Sequence, residues 1–336
     1  MNGEQREKLS IAVVGDGGWG TANAILLHGY GHRVTVWGYD PANIAAAVAE
    51  RENRKFLPGV RLPEGISWTS DPAAAVEGAD VVVLAMPSRH FAGVCGRFSG
   101  VVPGGALFVS LAKGFREDTR ERMSSTAEKI FGVPDVVVLS GPTHAEEVAR
   151  GIPAAIVAAS RNSALAKKTQ EIWSGPRFRV YTSSDPAGVE AGGAVKNVIA
   201  LAAGASDGLG FGDSTRAALM TRGLAELSRF VGVCGGRPET VRGLSGVGDL
   251  IVTCCSRHSR NHSVGERLGR GEPVERILSS MDMVAEGVGN SKTVCRIAEG
   301  NGLEMPICEA VRDMCDGRLS ARDAVERLLS RPLKSE

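Results

Sequence analysis

Lys196 is the residue of this sequence best suited to moving a proton. It sits in GGAVKNVIALAAGA, among Gly192, Gly193, Ala194, Val195, Val198 and Ile199, on a stretch that reads as a nearly uncharged helix. Partial burial would lower a lysine's pKa toward neutrality, which suits proton exchange with an alcohol or carbonyl oxygen. A lysine that runs its stem along an apolar helix to reach water fits the same pattern. A second block, GLSGVGDLIVTCCSRHSRN, carries Asp249, which reads either as a helix N-cap or as the partner of a nearby ammonium. Its end, Ser259, Arg260 and Asn261, precedes a helix-compatible stretch. Free amides at a helix start plus a guanidinium would hold a phosphate, and a capped surface loop is the plainer alternative. Cys254 and Cys255 lie in an apolar run and read as buried thiols, and His144 as a structural turn residue.

Those residues need a scaffold. GDGGWG at 15–20 follows the strand-like IAVV and precedes the helix-compatible TANAILLHGYG, with another strand starting near Arg33. Within such a unit Gly15 permits the tight turn, Gly17 lets backbone approach a pyrophosphate, and Gly20 lets helix and strand pack closely. The strand that selects between NAD and NADP ends Trp37, Gly38, Tyr39, Asp40. Asp40 reads as a ribose-binding acid or as the N-cap before Pro41, and Trp19 and Tyr39 as adenosine contacts or packing. Short β-branched runs at 11, 33, 81, 106, 136, 154 and 178 alternate with helical segments, which predicts a mostly parallel sheet covered by helices. Lys113 in LAKGF and Gly141, Pro142 and Thr143 in SGPT follow two of these strands, on the edge where ligands bind.

After Asp185 and Pro186 the texture turns helical, so the expectation is an α/β chain of two domains. Residues 1–186 form a Rossmann dinucleotide-binding domain and residues 187–336 an all-α domain that binds substrate. The length of 336 residues with 43% hydrophobic content suits two cores. A formal charge of +1 gives no field toward nucleic acid or an anionic membrane. Seven cysteines at irregular spacings suggest reduced thiols rather than a metal or disulfide framework, so no metal is expected. The polar start MNGEQREKLS does not resemble a signal peptide, and no apolar run is long enough to span a bilayer, which places the expected protein in the cytoplasm.

Taken in order, GDGGWGTANA, LAKGF, SGPTHAEEVARG, GGAVKNVIALAAGASDGLGFG, TRGLAE, GLSGVGDLIVTC and SRN resemble the bacterial NAD(P)-dependent glycerol-3-phosphate dehydrogenases. The resemblance runs from Ile11 to about Pro306, and the GGAVKN and GDL...TC...SRN blocks are its most specific parts. It implies an N-terminal Rossmann domain, a helical domain like that of 6-phosphogluconate dehydrogenase, and a role in supplying glycerol phosphate for phospholipids. By the same resemblance Lys196 is the proton donor and acceptor, with Asp249 beside it, and Lys113 contacts both substrate and cofactor. Gly141 and Thr143 help bind substrate, and Ser259, Arg260 and Asn261 hold its phosphate. Gly15, Gly17, Gly18, Trp19, Gly20, Tyr39, Ala145, Arg260, Val284 and Glu286 match cofactor-contacting positions. The sequence departs from the pattern at Gly18, where Ser is usual, at Tyr39, where Arg or His is common, at Ala112 for Thr and at His144 for Phe. Tyr39 removes an obvious anchor for the NADP phosphate unless Arg33, Arg54 or Lys55 folds over the site, so the reading leans toward NAD.

The implied reaction places dihydroxyacetone phosphate in a cleft between the halves and delivers hydride to its carbonyl carbon. A hydroxy-acid dehydrogenase of the same architecture is the nearest rival, and a dinucleotide sensor without turnover the next. The partner expected is a small molecule, with a homodimer as the assembly.

Overall fold

The computed structural model describes residues 7–281, 283–333 and 335. The chain divides into two compact units, residues 1–112 with 123–186, and residues 113–122 with 187–336.

The first unit alternates strand and helix: β1 (Ser10–Val14), α1 (Gly18–Gly29), β2 (Arg33–Trp37), α2 (Pro41–Glu50), β3 (Ile66–Thr69), α3 (Pro72–Val76), β4 (Val81–Leu84) and α4 (Ser88–Phe98). It continues with β5 (Leu107–Ser110), α5 (Met123–Phe131), β6 (Val137–Ser140), α6 (Ala145–Ala149), β7 (Ala154–Ala159), α7 (Ser163–Trp173) and β8 (Phe178–Ser183). The strands form one sheet in the order β3-β2-β1-β4-β5-β6-β7-β8. Every pairing is parallel except β6 with β7. Both faces are covered, as the uninterrupted apolar runs require. Ile11 and Val13 enter one core while Ala12 and Val14 enter the other, and Val81 and Val83 part from Val82 and Leu84 in the same way.

The strand order reverses between β1 and β4, and the crevice at such a reversal is where open α/β sheets bind ligands. β3, reading ISWT, escaped the sequence reading. It is a four-residue strand at the sheet edge with only Ile66 buried, too short and too mixed to show a pattern.

The second unit is helical: α8 (Pro186–Gly208), α9 (Asp213–Val233), α10 (Asp249–Cys255), α11 (Arg260–Gly269), α12 (Val274–Ser279), α13 (Glu286–Gly300), α14 (Pro306–Cys315) and α15 (Ala321–Leu329). α8 forms its axis, with Val195, Val198, Ile199 and Leu201 wholly buried. α11 lies against α8 backbone to backbone. A Cβ at Gly204 would sit 2.0 Å from the His262 carbonyl oxygen, and one at Gly265 would sit 2.1 Å from that of Leu201.

One boundary differs from the expected single break after 186. Residues 113–122 leave the first unit and belong to the second. The reason is packing that no local pattern announces: Phe115 joins the helical core edge-on to Phe230 at 5.8 Å, and Arg122 pairs with the buried Glu190 at 3.2 Å.

Candidate active site

In the second unit three charged side chains converge. Lys196, on α8 and 4% exposed, donates from Nζ to Asp249 Oδ1 at 2.6 Å and to Thr253 Oγ1 at 2.7 Å. Lys113 donates to the other carboxylate oxygen, Oδ2, at 2.8 Å. Asp249 is thus clamped between two ammonium groups while only 1% exposed. Of the two roles the sequence left open for it, the structure shows the ammonium partner.

Each member has a local reason for its place. The backbone before Asp249 makes one π-helical turn, Leu244–Gly248, in which a Cβ at Gly246 would lie 2.1 Å from the Val241 carbonyl oxygen. That extra residue per turn sets the angle at which α10 presents Asp249 and, one turn on, Thr253. Thr253 Oγ1 also donates to the Asp249 carbonyl oxygen at 2.5 Å. Lys113 is fixed through its backbone, since Asn290 Nδ2 on α13 donates to the Lys113 carbonyl at 3.3 Å and to that of Ala194 on α8 at 3.4 Å.

The charges settle as their surroundings dictate. Burial pushes Lys196 down to about 7, Asp249 working against that shift and Lys113 adding to it. Burial alone would raise Asp249, but the two ammonium groups outweigh it and hold the carboxyl below its ordinary value. A lysine poised near neutrality, with a fixed carboxylate and a second cation beside it, can give or take a proton and can stabilise negative charge on an oxygen.

The phosphate candidates stand beside this cluster because α11 packs so closely on α8. Ser259 is the N-cap of α11 and accepts from the His262 amide at 3.2 Å. The Asn261 side chain is held from both ends: its Nδ2 donates to Asn197 Oδ1 at 3.0 Å, and its Oδ1 accepts from the Gly287 amide at 2.9 Å. Arg260 donates to the Val284 carbonyl at 3.0 Å, so that two residues matched from separate blocks meet here, with Glu286 opening α13 next to Gly287. Thr253, Asn197 and Asn290 were missed by the sequence reading. Thr253 stands one helical turn after Asp249, a spacing that could have flagged it, whereas Asn197 and Asn290 carry no such signal.

The glycine turn belongs to the first unit. Gly15, at φ +120°, packs so closely on the end of β4 that a Cβ would be 2.8 Å from the Ala85 carbonyl oxygen, and one at Gly20 would lie 2.0 Å from that of Gly15. Gly18 is similarly crowded, since Phe56 O would be 2.5 Å from a Cβ placed there. At Gly17 a Cβ would meet nothing within 4 Å. This glycine leaves open space at the N-terminus of α1, the fit that a pyrophosphate requires. Asn53 locks the turn, donating to Asp16 O at 2.6 Å and to Thr21 Oγ1 at 2.9 Å. Trp19 and Ala145 pack together with Ala149 and the buried Leu57. Gly141 is pressed against β7, with Ile156 Cα 3.0 Å from its would-be Cβ, and Thr143 Oγ1 donates to Gly141 O at 3.3 Å.

At the end of β2 Asp40 is the N-cap of α2, accepting from Ala42 N at 3.0 Å. Arg33 lies at the opposite end of that strand, bonded to Ser10, and Arg54 pairs with Glu50 and Glu52. Lys55 alone of the three cations considered from sequence approaches, 3.9 Å from Asp40. Cys254 is buried as expected, whereas Cys255, one residue on around α10, is exposed.

A doubly covered, mostly parallel sheet with a glycine turn open to a pyrophosphate, in a chain that also buries a lysine poised near neutrality, fits a nicotinamide-dependent dehydrogenase. Comparison with known proteins narrows this class. Residues 10–166 match the model of the NAD-dependent glycerol-3-phosphate dehydrogenase N-terminus, and residues 185–326 that of its C-terminus. The glycerol-3-phosphate dehydrogenase [NAD(P)+] of Pelodictyon phaeoclathratiforme is 44% identical over 98% of this chain and 99% of its own length. That of Geobacillus kaustophilus is 44% identical over 97% and 96%. The crystal structure of the Coxiella burnetii glycerol-3-phosphate dehydrogenase superposes with a TM-score of 0.93 at 36% identity, covering 96% of this chain and 99% of that one. The chain belongs to the NAD-dependent glycerol-3-phosphate dehydrogenase family.

Proposed function

We propose that the chain interconverts dihydroxyacetone phosphate and sn-glycerol 3-phosphate, with Lys196 as the group that exchanges a proton with the substrate oxygen. The observation that carries this reading is the buried Lys196–Asp249–Lys113 cluster. Bound NAD(P)H supplies the hydride, and Gly15, Gly17, Gly18 and Gly20 with the N-terminus of α1 hold its pyrophosphate; Trp19, Tyr39, Ala145, Val284 and Glu286 are assigned to its remaining contacts. As negative charge grows on the ketone oxygen, Lys196 gives up its proton and Lys113 stabilises what charge remains. Asp249 keeps Lys196 oriented, and Thr253 fixes the same amine from a second side. In the reverse direction Lys196, neutral, takes the hydroxyl proton.

The substrate phosphate is assigned to the start of α11, where backbone amides and the Arg260 guanidinium favour an anion, and the family resemblance adds Gly141 and Thr143 as substrate-binding residues. The Asn261 amide is braced by protein at both ends, and its nitrogen retains a second donor hydrogen for the phosphate. The phospholipid precursor that results fits the family's role.

A cytoplasmic site belongs to the same reading, supported by seven free thiols. Among the described residues no helix is long and apolar enough to cross a membrane. The near-zero net charge of +1 argues against nucleic acid as a partner.

The deciding experiment follows NADH and NADPH oxidation with dihydroxyacetone phosphate beside unphosphorylated keto acids. Turnover confined to the phosphorylated ketone is expected. Turnover confined to the acids would overturn the substrate assignment in favour of the hydroxy-acid rival.

A further inference from the structure

The geometry points to Arg97, on α4, as the residue that recognises the 2′-phosphate of NADP, in partnership with the ring of Tyr39. This inference rests on the dinucleotide reading of the first unit and extends it to cofactor choice.

The end of β2 is where the adenosine ribose of a bound dinucleotide is discriminated. The acid available there, Asp40, is spent as the N-cap of α2 and faces Lys55, so it is not positioned as a dedicated acceptor for ribose hydroxyls. Tyr39 stands where a base would reach a phosphate, and it is 65% exposed. Its ring meets Trp37 edge-on at 6.4 Å, and the guanidinium carbon of Arg97 lies 4.6 Å from its centroid.

Arg97 is brought there by its neighbour. Phe98, wholly buried, packs edge-on against Trp37 at 5.2 Å, and Trp37 is pinned in turn through Nε1 to the Ser70 carbonyl at 3.0 Å. Successive residues of α4 therefore grip β2 and the second residue past its end. The exposed Arg97 finds no carboxylate partner among the described residues. A guanidinium held over an aromatic ring can stack on its face and still offer N–H groups to a phosphate. Lys55, 3.9 Å from Asp40, adds a second cation and offsets that carboxylate's repulsion of a dianion. The missing base of β2 is thus replaced by one from α4, and the chain accepts NADP as well as NAD.

Direct binding tests this without any turnover. Titrations of the whole protein with NADPH, NADH and 2′,5′-ADP, followed by dinucleotide fluorescence and calorimetry, are compared for wild type, Arg97→Ala and Arg97→Lys. Arg97→Ala should weaken NADPH by about 10- to 100-fold, the effect of losing a charge-assisted hydrogen bond, and abolish measurable 2′,5′-ADP binding. NADH should change by less than about threefold, which also certifies that the variant folds, and Arg97→Lys should fall between the two for NADPH. Equal loss for both dinucleotides, an unchanged NADPH affinity, or a wild type that binds NADH but not 2′,5′-ADP would each overturn the assignment. A wild type that binds neither dinucleotide would instead remove the dehydrogenase reading beneath it.

Discussion

At the scale of single residues, the proposed chemistry depends on where Lys196 titrates. Burial brings it to about 7 from an ordinary value of 10.5, with Asp249 opposing the shift. Ketone reduction needs the protonated amine, so its kcat should fall as pH rises through about 7. Alcohol oxidation needs the neutral amine, and its kcat should fall as pH drops through the same region. Removing the opposing charge with Asp249→Asn lowers the lysine further, so both limbs should move to lower pH while kcat declines. Stopped-flow rates in both directions across pH 5.5 to 9 check the sign, and limbs that move upward or stay put would break the link between the two side chains. This residue-scale account was partly legible in sequence. A stretch at 191–206 whose one charged residue is a lysine marks Lys196, whereas its burial and the identity of its partner come from α10, 53 residues away.

At the scale of elements, the α8–α11 contact positions the start of α11, to which we assign the substrate phosphate. Gly265→Ala would set a methyl about 2 Å from the Leu201 carbonyl oxygen, and overpacking of this kind costs about 1–3 kcal/mol. The variant should melt several degrees lower, and its KM for dihydroxyacetone phosphate should rise more than its KM for NADH, because α11 begins at Ser259 and Arg260. Equal effects on both KM values would argue that the helix start is not the phosphate site.

A second element effect concerns α14. Its first amides, Ile307 N and Cys308 N, are capped by Glu226 from α9 at 2.8 and 3.3 Å. Burial raises that carboxyl to about 7 against 4.5 unfolded, with the capping amides pulling the other way. The protonated form is favoured by the fold, so this contribution is complete below pH 4.5 and is lost as pH rises through about 7. Glu226→Gln should flatten the fall in Tm between pH 5 and 8; a slope as steep as that of the wild type would exclude this carboxyl as its source.

At the scale of the whole molecule, the two units do not follow the chain. Strand and helix alternation announced the sheet, the glycine turn announced the first crossover, and the change of texture at Pro186 announced the helical unit. What the sequence could not show is the transfer of residues 113–122, since it depends on Phe230, Glu190 and Asp249 accepting Phe115, Arg122 and Lys113 from far away in the chain. Nor could it show the antiparallel β7, because a continuously apolar strand looks the same in either direction. A fragment of residues 187–336 lacks the excursion and leaves its receiving surface uncovered. It should therefore show weaker near-ultraviolet dichroism and a broader melt than the same region within the full chain. A sharp transition for the fragment would mean that the excursion adds little to the helical core.

The central claim, a proton carried by the Lys196 amine, is tested most directly by Lys196→Met, measured as kcat for dihydroxyacetone phosphate reduction beside the affinity for NADH. The account predicts a kcat reduced by at least about 10²-fold, the ordinary scale of general acid catalysis, with NADH affinity unchanged. A kcat within a few-fold of wild type would contradict it.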